Sequence, residues 1–152
     1  MPTPPYEGGC FCGAVRYRLT DDPLWLHACH CTDCQRFTGS SFALSMVVSG
    51  HAFERLRGDP RRYVLTLPDG REKSGRFCET CGSRLWGEPT KFPQLVVVRA
   101  GTLDDTTYLD PVGHIWTRSA QPWVRIPEGV LVFAGEPDPG MLFEAWQARR
   151  RR

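Results

Sequence analysis

Apolar and polar residues alternate with a period of two along much of the chain, and this pattern predicts β-strands. In residues 14–19, Val15, Tyr17 and Leu19 alternate with two arginines. Further runs rich in β-branched and aromatic residues are bounded by Gly or Pro, and they predict strands at 42–48, 62–67, 95–100 and 130–134. The sequence Pro-Asp-Gly at 68–70 predicts a hairpin turn between the 62–67 run and the segment that leads to Phe77.

Helical periodicity is convincing only near the C-terminus. Apolar residues recur there at i, i+3 and i+4 after a Pro-Gly break, namely Met141, Leu142, Ala145 and Trp146. They predict a helix over 141–150. The patterns together predict a mainly β fold with a short C-terminal helix.

Composition places the chain among ordinary globular proteins. Its 152 residues fit a single domain over 1–152, and 41% hydrophobic and 24% charged residues are typical of soluble proteins. The formal net charge is only +2, and the basic residues are dispersed apart from the arginines at 149–152. This charge does not indicate binding to nucleic acid, and the arginine run is interpreted as a solvated tail.

No segment has the apolar core of a signal peptide, and no apolar run approaches the roughly 20 residues of a membrane span. The chain is therefore expected to be cytoplasmic, with reduced thiols and no membrane association. A homodimer is compatible with exposed β edges, although no motif requires one.

All seven cysteines fall into three tight groups: Cys10 and Cys12; Cys29, Cys31 and Cys34; Cys78 and Cys81. Random placement would rarely produce such grouping, and an odd number without a secretion signal argues against disulfides. Two cysteines one or two residues apart can reach one zinc ion from a single turn. Gly13 and Gly82 follow the outer pairs, where a positive φ would close such a turn.

Seven thiols divide most simply into two zinc sites. Cys10, Cys12, Cys78 and Cys81 would form a closed structural site, and Cys29, Cys31 and Cys34 would hold a second zinc with one open position, the pattern of a catalytic zinc. The spacing leaves alternatives open. The first pair could instead join two members of the middle cluster, and His30 or Asp33 could supply a fourth ligand to it.

Five segments together resemble one known family. They are GGCFCGAVRY at 8–17, CHCTDCQRFTGS at 29–40, RFCETCGS at 76–83, AGTLDD at 100–105 and PVGHIW at 111–116, with Trp123 beyond. In this order they resemble the glutathione-dependent formaldehyde-activating family, which is similar to centromere-protein-V-like domains, over about residues 7–127.

The resemblance implies the division of cysteines given above, with two zinc ions in a fold of several coiled antiparallel sheets. It also implies a carbon–sulfur lyase activity that joins glutathione and formaldehyde into S-hydroxymethylglutathione. A thiol bound at the open zinc position would be deprotonated and could attack an aldehyde carbon. Candidates around this reaction are His114 for proton handling, Arg36 for a substrate carboxylate, and Trp116 and Trp123 for a pocket wall.

Two other functions are compatible with the same residues. A non-catalytic zinc scaffold or binding module would have a protein side chain as the fourth ligand of the middle cluster. A thiol redox or metal-buffer protein would release zinc on mild oxidation and form a disulfide within residues 29–34.

Overall fold

The computed structural model describes residues 2–151 and shows a mainly β protein within them. Eleven strands and two α-helices follow one another as β1 (Tyr6–Gly9), β2 (Arg16–Leu19), β3 (Trp25–Cys29), α1 (Thr32–Thr38), β4 (Ala43–Ser49), β5 (Phe53–Arg57), β6 (Arg61–Thr66), β7 (Glu72–Phe77), β8 (Arg84–Gly87), β9 (Leu95–Arg99), β10 (Gly113–Ile115), β11 (Leu131–Val132) and α2 (Pro139–Arg150). The predicted fold class, including the short C-terminal helix, is confirmed. No helix in residues 2–151 combines the length and apolar character needed to cross a bilayer.

The chain forms two compact units. The first contains the residues up to 23 together with 47–108, and the second contains 24–46 and the residues from 109 onward. Strand β4 begins in the second unit and ends in the first. The single domain over 1–152 stays a prediction.

In the first unit, two antiparallel groups of strands form the scaffold. Strands β1, β2 and β5 form a three-stranded sheet, and β9, β8, β7 and β6 follow one another in a second group. The alternation of apolar and polar residues that predicts β2 corresponds to an alternation in burial. Tyr17 and Leu19 are fully buried, whereas Arg16 and Arg18 are only half-buried. The predicted hairpin is the β6–β7 connection, in which Thr66 pairs with Glu72.

Strand β1 approaches the core of the first unit so closely that it requires glycine. A Cβ atom on Gly8 would lie 2.4 Å from the Tyr17 hydroxyl oxygen and 2.5 Å from the Thr102 carbonyl oxygen. The Tyr17 hydroxyl is itself hydrogen-bonded to the Thr102 hydroxyl at 2.8 Å. These contacts fix the strand that leads directly into Cys10.

In the second unit, strands follow the order β11, β10, β3 and β4. Strand β10 is parallel to both β3 and β11, which differs from the antiparallel sheets that the resemblance implies. Parallel neighbours need long connections, and more than eighty residues separate β3 from β10 in the chain. This pairing places His114 opposite Ala28 and Ile115 opposite Cys29.

Helix α2 covers one face of the second unit. It begins two residues before the predicted 141–150 segment, because Pro139 occupies the first turn and the Asp138 carboxylate accepts hydrogen bonds from the amides of Gly140 and Met141. Its buried residues, Leu142 and Trp146, belong to the apolar set that predicts the helix.

The arginines at 149–152 are not simply a solvated tail. Arg149 and Arg150 belong to α2, and Arg149 forms an ion pair with Asp110 at 2.7 Å. Arg152 lies outside the described residues.

Candidate metal centres

The first unit brings together Cys10, Cys12, Cys78 and Cys81. Their four sulfur atoms all lie within 4.8 Å of one another, and the Sγ atom of Cys12 is 3.5 Å from that of Cys10 and 3.7 Å from that of Cys78. A tetrahedral zinc site with Zn–S bonds of about 2.3 Å has sulfur–sulfur distances of about 3.8 Å. A disulfide would need about 2.05 Å. The spacing of this four-cysteine cluster therefore fits four thiolates around one metal ion.

The two halves of the four-cysteine cluster share one local geometry. In the first half, the Cys10 amide donates a hydrogen bond to the Val15 carbonyl, and the Cys10 carbonyl accepts one from the Gly13 amide. In the second half, the Cys78 amide donates to the Ser83 carbonyl in the same way, and the Cys78 carbonyl accepts from the Gly82 amide. Gly13 and Gly82 adopt φ angles of 75° and 73°. The glycines therefore occupy the left-handed conformation that closes each turn.

Hydrogen-bond donors surround the sulfurs of this cluster. The Val15 amide donates to the Cys10 sulfur at 3.2 Å, and the Ser83 hydroxyl lies 3.2 Å from the Cys81 sulfur. Hydrogen bonds from the hydroxyl and amide of Ser83 lower the pKa of Cys81 to about 5. Cys81 thus favours the thiolate form that a metal ion requires, whereas the pKa of Cys12, which is crowded by the other three sulfurs, is raised to about 11. Ser83 directly follows Gly82, and sequence reasoning did not identify its role.

Replacement of Gly82 by alanine is expected to destabilise the protein by about 1–2 kcal/mol, because a residue with a Cβ atom is strained at positive φ. Denaturant unfolding measures this change. Gly101→Ala is the matched control, since an added Cβ at either glycine meets no atom within 4 Å but Gly101 has no positive φ. Equal stability of the two variants would contradict the role given to the turn.

The second unit brings together Cys29, Cys31 and Cys34, whose sulfur atoms also lie within 4.8 Å of one another. Cys29 ends β3, Cys31 caps the N-terminus of α1, and Cys34 lies within α1. Cys29 and Cys34 are buried, whereas Cys31 is partly exposed. This three-cysteine cluster includes neither His30 nor Asp33.

Helix α1 corrects the expectation that only the C-terminus is helical. The Cys31 sulfur accepts a hydrogen bond from the Cys34 amide at 3.3 Å, so a thiol takes the place of the usual hydroxyl or carboxylate cap. Gly39 ends the helix at a φ of 63°, with its amide bonded to the Gln35 carbonyl. The cysteine spacing of residues 31–34 suggests a simple turn, and the short helix was therefore missed.

Crowding of the three sulfurs opposes their ionisation. The pKa of Cys29 is raised well above its usual range, most strongly by the neighbouring Cys31 sulfur, next by the Cys34 sulfur and then by burial. A third negative charge at this position is favourable only if a cation compensates it. The donor set of the three-cysteine cluster therefore fits a bound metal ion.

His30 is fully buried, and three of its polar groups are hydrogen-bonded, whereas its Nδ1 atom is buried without a hydrogen-bond partner among the described residues. Its Nε2 atom lies 2.8 Å from Nδ1 of His114, its amide donates to the Ile115 carbonyl, and its carbonyl accepts from the Gln35 side chain at 2.8 Å. Burial lowers the pKa of both histidines. His30 thus fixes the turn between Cys29 and Cys31, and the hydrogen-bond partner of the His114 side chain is a second imidazole.

Comparison with models of known protein families shows to which family the chain belongs. The model of the glutathione-dependent formaldehyde-activating enzyme family matches residues 5–119, which include all seven cysteines and His114. The chain belongs to this family. The resemblance drawn from the five sequence segments is therefore confirmed.

One named relative and one solved structure are similar to the chain. A Halomonas elongata protein, whose name assigns it provisionally as a glutathione-dependent formaldehyde-activating enzyme, is 29% identical over an alignment of 150 positions. The alignment covers 94% of each chain. A crystal structure of a Rhodobacter sphaeroides protein is similar in fold, with a TM-score of 0.53 and 21% identity over 67% of this chain and 91% of that one.

The remaining residues that the sequence suggested for substrate contacts differ in their exposure to solvent. Trp123 is 67% exposed, and Arg36 is also exposed on α1. Trp116 is partly buried and has a φ angle of 57°. Sequence reasoning did not single out Gln35 or Arg118, whose contacts with neighbouring segments are described below.

Proposed function

We propose that this member of the glutathione-dependent formaldehyde-activating family joins the thiol of glutathione to formaldehyde at a zinc ion held by Cys29, Cys31 and Cys34. The product is S-hydroxymethylglutathione, and the reaction is that of a carbon–sulfur lyase in the direction of synthesis. A second zinc ion held by Cys10, Cys12, Cys78 and Cys81 is structural. The family name supports the two substrates.

The observation that carries the proposal is the unequal number of donors in the two clusters. Four sulfurs complete a tetrahedral shell, whereas three leave one position for an external ligand. Sulfur donors at these distances favour zinc over the harder divalent ions. Zinc in the three-cysteine cluster would lower the pKa of a thiol bound at the open position, so that the thiol is held as a thiolate at neutral pH.

Charge at the three-cysteine cluster supports a nucleophilic sulfur. Three protein thiolates and one Zn²⁺ ion carry a net charge of −1, and a fourth thiolate brings the total to −2. The excess of negative charge keeps the substrate sulfur electron-rich. In the reaction the sulfur–carbon bond forms, the carbon–oxygen π bond breaks, and the proton lost by the thiol is balanced by one gained at the aldehyde oxygen.

Hydrogen bonds within the chain position the three sulfur ligands for this step. The His30–His114 pair keeps one proton between Nε2 and Nδ1, and together with Gln35 it fixes the turn that carries Cys29 and Cys31. The Cys34 amide orients the Cys31 sulfur by donating to it. The three donors are therefore positioned before a substrate arrives.

Two-dimensional exchange NMR on an equilibrium mixture of glutathione, formaldehyde and their adduct tests the proposal. Zinc-loaded protein is expected to accelerate exchange between free and adduct forms beyond the uncatalysed rate. Protein stripped of zinc is the control, and it should leave the rate unchanged. An unchanged rate with two zinc ions bound would refute the proposed activity.

A further inference from the structure

The backbone is strained at Trp116, where β10 ends. Among residues 2–151, Trp116 is the one non-glycine residue with a positive φ, 57°. Neighbouring carbonyls maintain this conformation, because the Trp116 amide donates to Gly135 and the Thr117 amide donates to Phe133, each at 3.1 Å. A bulky residue held in this region by its surroundings is typical of ligand-binding and catalytic sites.

The strained backbone presents the guanidinium of Arg118. Its Cζ atom lies 5.2 Å from the centre of the Trp116 ring, and its Nε atom donates to the Ala134 carbonyl at 2.9 Å. Position 135 is glycine, and a Cβ atom there would collide with Nη2 of Arg118. Arg118 is exposed, and no carboxylate in the described part of the chain pairs with it. The guanidinium is thus oriented in advance, with its remaining N–H groups available to an anion.

Gln35 connects this segment to the three-cysteine cluster. Its Nε2 atom donates to the carbonyls of His30 and Ser119, each at 2.8 Å, and its Oε1 atom accepts from Gln121 at 2.9 Å. One side chain therefore contacts both the turn between Cys29 and Cys31 and the residue that follows Arg118. Residues 116–121 are held beside the cluster by these bonds.

We infer that Arg118 binds a carboxylate of the thiol substrate, and that Gln35 is a positioning residue that holds Arg118 at the correct distance from the three-cysteine cluster. The inference rests on the proposed function, since it names the recognition element of the same site. Glutathione carries a carboxylate on each side of its thiol, and a planar guanidinium binds such a group through two hydrogen bonds. Arg36, the sequence-based candidate, is exposed, and within residues 2–151 it has no anchoring contact comparable to those of Arg118.

Calorimetric titration of the zinc-loaded protein with glutathione and with its diethyl ester tests the inference. The wild type should bind glutathione about tenfold more tightly than the ester, because one charge-assisted contact contributes about this factor. Arg118→Ala should remove the preference, Arg118→Lys should retain part of it, and the matched control Arg36→Ala should keep it whole. A wild type without preference, or an Arg118→Ala variant that keeps it, overturns the inference.

Gln35→Ala separates positioning from stability. The variant should still hold two zinc ions but lose the preference for glutathione over the ester, a ratio that lower stability alone would not change. Retention of the full preference overturns the role of Gln35. Exchange rates on the same samples distinguish the two proposals: a preference without acceleration refutes the proposed activity alone, and acceleration without a preference refutes this inference alone.

Discussion

Cys78→Ser is expected to remove one of the two proposed zinc ions and to unfold much of the first unit. Cys78 is 2% exposed, and its amide and carbonyl both belong to the turn that carries Cys81. Apparent zinc-binding free energies of structural sites are about 10–16 kcal/mol at neutral pH, which exceeds the net stability of many domains. Zinc content by mass spectrometry and thermal unfolding by circular dichroism measure the two effects.

Cys31→Ser provides the comparison, because it should also remove one zinc ion while the first unit stays folded. The four-cysteine cluster joins residues 10 and 12 to residues 78 and 81, so its metal closes a long loop, whereas the three-cysteine cluster spans only residues 29–34. A Cys78→Ser protein that melts like the wild type would show that the four-cysteine cluster is not the structural site.

The second large effect is expected in the exchange reaction of Cys31→Ser, whose acceleration should fall by about 100-fold, the upper end of the losses seen when even an outer partner of a metal ligand is removed. Serine is a good N-cap, so its hydroxyl can replace the sulfur that accepts from the Cys34 amide and α1 should persist. The variant therefore removes one thiolate ligand with little change in fold. Exchange NMR at equal protein concentration gives the ratio.

Thr32→Ala is the control for the same helix, because Thr32 is exposed and lies outside the sulfur group. It should retain the wild-type exchange rate. If Cys31→Ser retained that rate as well, the three-cysteine cluster would not be the site of the reaction.

Local patterns predict the parts of this protein that depend on neighbouring residues. The alternation at Val15, Tyr17 and Leu19 predicts β2, and the Pro-Asp-Gly turn predicts the β6–β7 hairpin. The spacing of the cysteines separates them into groups, because two ligands on one turn must be close in sequence. The structure brings Cys10 and Cys12 together with Cys78 and Cys81, which spacing alone left open.

Features that depend on distant residues could not be predicted in this way. The parallel pairing of β10 with β3 joins segments more than eighty residues apart, and it creates the contact between His30 and His114. Helix α1 has seven residues and a cysteine cap, so it lacks the usual starting signal. The anchoring of Arg118 depends on Ala134 and on the strained backbone of Trp116, which no local pattern indicates.

Zinc-edge X-ray absorption with and without glutathione tests the central claim, that one of two metal centres has an open position for a thiol. Four sulfurs at one centre and three at the other predict an average of about 3.5 sulfurs per zinc ion, with a light scatterer in the open position. Addition of glutathione should raise the average to about 4 and remove the light scatterer. An average that does not change with glutathione would contradict the account, because it would mean that the three-cysteine cluster does not accept an external thiol.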